Sequence, residues 1–192
     1  MSLTMYVGML LDIEEDEMEE LNEEFDAINE LLTSAGLPKH EEPKATDDDY
    51  WNFIIGYGSL EQYVYFVSSL KKSGKIKLED SVLNHLLKHS TSEGYFAPID
   101  FSDLLENDEV QVGSCYRLRE ISEEVARFLQ IPKPLKSIPV DYSAEGVELS
   151  EELNGWKDEG IWREHISETL LCIILYQGAS VSIKNKMLLG FG

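Results

Sequence analysis

Positive charge is what this sequence has least of. Its 192 residues include 16 Lys and Arg against 37 Asp and Glu, a formal net charge of −21. No Lys or Arg occurs between Asp12 and Pro38. A protein that grips duplex DNA needs a basic face to replace the counterions on phosphate, so direct nucleic-acid binding is not expected. Cysteine is almost as rare: Cys115 and Cys172 are too few for a disulfide framework or a four-thiolate zinc site. Two plain thiols predict a reducing, cytoplasmic setting. A long apolar run is missing too. The longest uncharged stretch, from Thr169 to Ile183, contains Gln177, Gly178 and two serines, which is short and polar for a bilayer span. The segment Leu3 to Leu11 has no Lys or Arg before it and leads into acids, so it reads as structure rather than as a secretory signal.

The motifs of common chemistries are equally absent. Gly56, Tyr57, Gly58 and Ser59 lack the third glycine of a dinucleotide fingerprint and the Gly-Lys-Ser/Thr of a phosphate loop, so a turn capped by Ser59 explains them. No calcium loop is present, and 37 acids supply too many accidental carboxylate pairs for a glycosidase argument. No cofactor is expected.

What is there suits one globular domain spanning 1–192. The chain is 43% hydrophobic and 10% aromatic, enough to fill a core at this length. Thr4 to Ile13 reads as a first strand. Met18, Leu21, Phe25, Ile28 and Leu32 recur at helical spacing, and Gly36 and Pro38 end that helix. Residues 50–57 are a strand or a helix start. Ser59 and Gln62 form a capping box for a helix to about Ser73, whose middle, Tyr63 to Val67, is apolar enough to be deeply buried. Further helices are expected over Leu78–His89, Ser114–Leu129 and Asp158–Tyr176. Between them come a short helix at Ser102–Glu106, a short strand at Val110–Val112 and an edge strand at Ser137–Tyr142. A closing strand from Val181 to Leu189 pairs with the first. The expectation is an α+β fold, with four to five helices packed on a small sheet that includes the N- and C-terminal strands.

The charge is concentrated. From Asp12 to Asp49 there are 16 acids against Lys39 and Lys44, a net of 2 − 16 = −14. Asp16, Glu19, Glu23, Asp26 and Glu30 recur at spacings of 3, 4, 3 and 4 opposite the apolar stripe. Like charges at i,i+4, such as Asp26 and Glu30, cost about 0.2 to 0.5 kcal/mol per pair, so folding gains nothing from them. Such an excess points to a surface that meets positive charge. The bland alternative is an ordinary solvated face, partly neutralised by Lys71, Lys72, Lys75 and Lys77. Asp47, Asp48 and Asp49 beside Tyr50 and Trp51 would make an aromatic anchor with an anionic rim if those rings are exposed.

Two weaker candidates for chemistry remain. His85 and His89 are four apart on a helix, a spacing at which two imidazoles can reach one metal ion, but no glutamate lies between them and both read as exposed. His165 and Glu168 complete such a site only if the fold brings them close. Cys115 follows the helix cap Ser114, where a helix dipole could activate a thiol, while Cys172 lies in an apolar run and reads as core.

The leading expectation is a non-catalytic, acidic protein-binding module. It would be an inhibitor or immunity-type protein that masks a basic partner such as a nuclease, through Asp16, Glu19, Glu23, Asp26, Glu30, Asp47, Asp48, Asp49 and Trp51. The alternative is a metal-binding protein or hydrolase built on His85 and His89. A third reading is a protomer that self-associates through its aromatics.

Overall fold

The computed structural model describes residues 2–9, 18–43, 51–89, 94–138 and 153–192. Its elements are β1 (Ser2–Val7), α1 (Met18–Ser34), β2 (Trp51–Gly56), α2 (Tyr57–Lys72), α3 (Asp80–Leu87), β3 (Gly94–Ala97), β4 (Leu105–Glu106), β5 (Gln111–Ser114), α4 (Cys115–Leu129), α5 (Ile166–Asn185) and β6 (Leu189–Phe191). Short 3-10 turns occupy Leu135–Ser137 and Ile161–Glu164. The strands form one mixed sheet in the order β2-β1-β6-β3-β5-β4, so the architecture is α+β, with the N- and C-terminal strands adjacent and antiparallel.

Alternation along the strands sorts side chains to the two faces of this sheet. Leu3, Met5, Val7, Trp51, Phe53 and Ile55 lie in the main core with residues of α2, α3, α4 and α5. On the other face, Met9, Ala97, Val112 and Leu188 pack against Ile28 and Leu32 of α1. The described elements are therefore layered, with α1 on one side of the sheet and α2, α3, α4 and α5 on the opposite side.

α1 forms because its apolar residues return every three or four positions. It ends where Gly36, at φ +76, allows the Leu37 amide to reach back to the Leu32 carbonyl at 2.9 Å, the six-residue closure that glycine permits. Full burial of Ile28 and Leu32 is worth roughly 1.5 to 3 kcal/mol each. That outweighs repulsion of a few tenths of a kcal/mol for each carboxylate pair on the outer face.

α5 is the central helix of the larger layer. It packs on α4 and α2, and against β1 and β2. By length and composition it could span a bilayer, but Leu171 to Tyr176, Gly178, Ala179 and Ser182 are all buried inside this fold. It runs nine residues past the expected end at Tyr176, through Gln177 and Gly178, so the closing strand is only Leu189–Phe191 rather than Val181–Leu189. The reason is local: a Cβ on Gly178 would lie 2.9 Å from the Trp51 ring. That glycine marks close helix-to-sheet approach, not a break.

Other expectations also change. Residues 51–56 are a strand, and α2 begins at Tyr57 with Gly56 as its N-cap, so Ser59 lies inside the first turn and does not cap it. The middle of α2 is not buried all round, because Tyr65 is 78% exposed. No helix forms at 102–106; that stretch holds bends and β4. Leu135–Ser137 is a 3-10 turn, and the remainder of the expected edge strand, from 139 onward, lies outside the described residues, as do residues 10–13 of the expected first strand.

Candidate functional site

The outer face of α1 is built as its spacing predicts. Glu23, Asp26 and Glu30 are exposed, and among the described residues no Lys, Arg or His lies within ion-pair distance of them. Glu24, by contrast, is engaged internally, accepting a hydrogen bond from the Tyr95 hydroxyl on β3. Burial, followed by this bond to Glu24, pushes the Tyr95 phenol well above its usual range and keeps it a neutral donor. Asp16, Asp47, Asp48 and Asp49 lie outside the described residues, as does the side chain of Glu19.

Several of the described cations are engaged away from α1. Lys71 pairs with Asp80 at 3.0 Å, and Lys75 sits 5.4 Å over the Phe128 ring. Both belong to the helical layer across the sheet from α1. Arg117 is held by Asp100 and Glu120, Arg119 by Glu123 at 3.7 Å, and Arg127 by Glu124. The lysines of 71–77 thus do not neutralise the α1 row.

The fold adds acids that the sequence did not place. α1 lies over β4 and β5, and the segment around that hairpin exposes Asp103, Glu106, Asp108 and Glu109. Asn107 shapes the turn by accepting the amides of Glu109 and Val110 at 2.9 and 2.8 Å. In sequence these residues showed only as a negative stretch; that they border α1 is a consequence of topology.

α1 is fastened to the sheet by a buried polar clasp. Asn29 accepts the His40 amide at 2.7 Å and donates to the His40 carbonyl at 3.1 Å. The His40 ring stacks on Phe25 with centroids 6.3 Å apart, and its Nε2 lies 2.6 Å from Glu42. Glu42 also accepts the backbone amides of Met9 and Leu188, each at 3.0 Å. No sequence signal distinguished Glu42 from its neighbours, because its role depends on two amides far from it in the chain.

Trp51 is only 1% exposed and belongs to the core, so it is not a surface anchor. Its alternation with Phe53 and Ile55 turns it inward. The histidines are corrected in the same way. His85 is fully buried, accepting the Ser114 amide on Nδ1 at 3.0 Å while Nε2 faces the Ser102 carbonyl at 3.1 Å. Burial lowers its pKa, and both nitrogens are committed to backbone groups. His89 is also buried, with Nε2 3.0 Å from the Tyr95 carbonyl and its ring stacked on Phe96. Among the described residues no group of three or more His, Cys, Asp or Glu side chains is arranged to hold a metal ion. The nearest carboxylate partner of His165 is Glu168 at 3.9 Å, while its ring lies against Phe66.

Cys115 and Cys172 are buried free thiols. Desolvation pushes both up to about 12, opposed for Cys115 by a hydrogen bond with Ser182 and for Cys172 by one with Tyr63. Neither is a nucleophile in this environment, because the thiolate is the reactive form. Ser114, the expected cap, instead donates its hydroxyl to the Ile99 carbonyl at 2.7 Å. Gly58 and Ser59 sit inside α2 and form no phosphate loop.

What this surface offers is a row of exposed carboxylates, with no ion-pair partner among the described residues, on a helix clasped to the sheet. No curated protein and no solved structure matches the chain. A family model described as "Putative DNA-mimic protein" matches residues 1–79 and 64–191. The chain therefore belongs to this putative DNA-mimic family, whose description points to acidic proteins that take the place of DNA on a basic partner.

Proposed function

We propose that this protein is an inhibitor that occupies the DNA-binding cleft of a basic partner, such as a nuclease, with the outer face of α1 standing in for a phosphate row. The observation that carries this reading is the exposure of Glu23, Asp26 and Glu30 with no cation within ion-pair distance among the described residues. The 17 residues of α1 rise about 25 Å and, besides the internally bonded Glu24, include Glu19, Glu20, Glu23, Asp26 and Glu30. That is about one carboxylate per 5 Å of axis, a sparser row than the about 3.4 Å per phosphate along one DNA strand. The acids of the β4–β5 segment extend the same negative field sideways, and a field of one sign draws a basic cleft in and orients it before contact.

The seating of α1 supports the same role. A mimic must hold its charges in place to compete with a stiff polymer, and the buried clasp of Asn29, His40 and Glu42 ties the helix to the sheet at its C-terminal half. Immobilised protein is expected to capture DNA-binding proteins from a lysate, and free duplex DNA is expected to elute them. A variant with Glu19, Glu23, Asp26 and Glu30 reversed to lysine should capture none of the same set. Retention of the same proteins by that variant, with no dependence on salt, would remove the proposal.

A further inference from the structure

We infer that the groove between α2 and α5 holds an arginine side chain from an extended basic segment of the partner. The partner's basic character rests on the mimicry reading, but the surface is a different one, on the helical layer across the sheet from α1.

The groove is assembled by helical spacing. α2 packs on α5, and Glu61, Gln62, Tyr65, Phe66 and Ser69 of α2 with Glu168 of α5 line a recess of about 530 Å³. Glu61, Tyr65 and Ser69 are four apart and share one side of α2. Tyr65 is 78% exposed, in a chain that buries Trp51, Tyr63 and Trp162 almost completely. Phe66 is half-buried, with its ring held 4.8 Å from the His165 ring and 6.2 Å from that of Phe128. The combination expected at Trp51, an aromatic anchor beside carboxylates, is therefore present here, and exposed tyrosines of this kind dominate many binding surfaces.

Charge selects the occupant. The lining carries two carboxylates and no Lys or Arg. Among the described residues no Lys or Arg lies within ion-pair distance of Glu61 or Glu168. Glu168 faces His165 at 3.9 Å, beyond hydrogen-bond length. The lysines of α2, Lys71 and Lys72, stand in its last turn, roughly 15 Å along the axis from Glu61. An anionic ligand finds no complementary charge in such a lining. A guanidinium does: it can lie flat on the Tyr65 ring while its edge N–H groups reach carboxylates, and its methylene stem suits the Phe66 wall. An ammonium is a point charge and cannot stack in this way, so arginine is favoured over lysine.

The position of the groove fixes the kind of segment. It and the outer face of α1 lie on opposite sides of the sheet, so one rigid cleft does not cover both. The segment has to be flexible and reach around, as basic arms beside DNA-binding folds do.

NMR titration of the full chain with a capped Gly-Arg-Gly-Arg-Gly peptide tests this. The Tyr65 and Phe66 ring resonances should shift and saturate, and the shifts should shrink as salt rises. Tyr65→Leu keeps an apolar side chain but removes the π face and should weaken binding about threefold, whereas Tyr65→Trp should hold or strengthen it. Both change a largely exposed side chain, so the fold should tolerate them. Glu61→Gln combined with Glu168→Gln should weaken binding about threefold or more. The variant neutralised at Glu23, Asp26 and Glu30 should keep the shifts at these two rings, so failure of mimicry at α1 and failure at this groove read separately. Rings that do not respond, binding that Tyr65→Leu leaves unchanged, or shifts that vanish with the α1 charges would overturn the inference.

Discussion

Glu42 and His40 meet with 2.6 Å between a carboxylate oxygen and Nε2, their side chains only 2% and 5% exposed. This pair closes the junction between α1, the end of β1 and the approach to β6. One carboxylate answers three donors there: the His40 ring and the amides of Met9 and Leu188. Replacing Glu42 with Gln turns one acceptor into a donor and leaves a buried amide unanswered, which costs about 1 to 3 kcal/mol. Urea unfolding should show a loss in that range, and a change below about 0.5 kcal/mol would mean that the clasp does not hold α1 in place.

The acids on the outside of α1 should contribute nothing to folding. Asp26 and Glu30 are exposed and four apart, an arrangement that costs about 0.2 to 0.5 kcal/mol. The variant Glu23→Gln, Asp26→Asn, Glu30→Gln should therefore be at least as stable as the parent in the same urea titration. A loss above about 1 kcal/mol would show that these groups make contacts within the fold and are not held free for a partner.

His85 gives the fold a pH dependence of defined sign. Its pKa is lowered by burial, so between that value and about 6.5 the unfolded chain binds a proton that the folded chain refuses. Stability from this residue is complete above about 6.5 and is lost as pH falls toward the folded value. His85→Gln is expected to be less stable at neutral pH and to lose less on acidification from pH 7.5 to about 5. An identical acid loss in parent and variant would assign the effect to other groups.

The thiols should be silent. With Cys115 and Cys172 buried and both pushed up to about 12, a thiol reagent at about pH 8 should label neither in the folded protein and both in denaturant, since reaction needs an exposed thiolate. Fast labelling of Cys115 without denaturant would reopen a catalytic role for it.

Gly178 tests the core seam between α5 and the sheet. Ala at this position brings a methyl to 2.9 Å from the Trp51 ring, and overpacking of this kind costs about 1 to 3 kcal/mol. A variant as stable as the parent would show that the seam has slack.

The sequence disclosed the parts of this fold that repeat often enough to show a period. α1 and α4, at 17 and 15 residues, carry apolar stripes long enough to read, and the acids opposite the α1 stripe could be assigned to the outer face. β3 and β4 have four and two residues, too few for alternation to register, and although a short strand is expected at Val110–Val112, where β5 lies, nothing local placed it beside α1 with its neighbouring acids. His85 was misplaced for a related reason. α3 has only eight residues, and a helical wheel assumes that one face is buried, whereas α3 packs on both α4 and β5. Trp51 beside a run of aspartates resembled a surface anchor, and only the pairing of β2 with β1 turned it inward. The clasp at Glu42 is a property of neighbours distant in sequence, which no local pattern encodes.

The most direct test uses a DNA-binding protein captured by this chain, with its affinity for a short fluorescent duplex measured by anisotropy as this protein is added. Mutual exclusion is predicted: the duplex is released stoichiometrically, release weakens as salt rises, and the variant neutralised at Glu23, Asp26 and Glu30 releases little. A ternary complex, in which the partner holds the duplex and this protein together, would contradict the account.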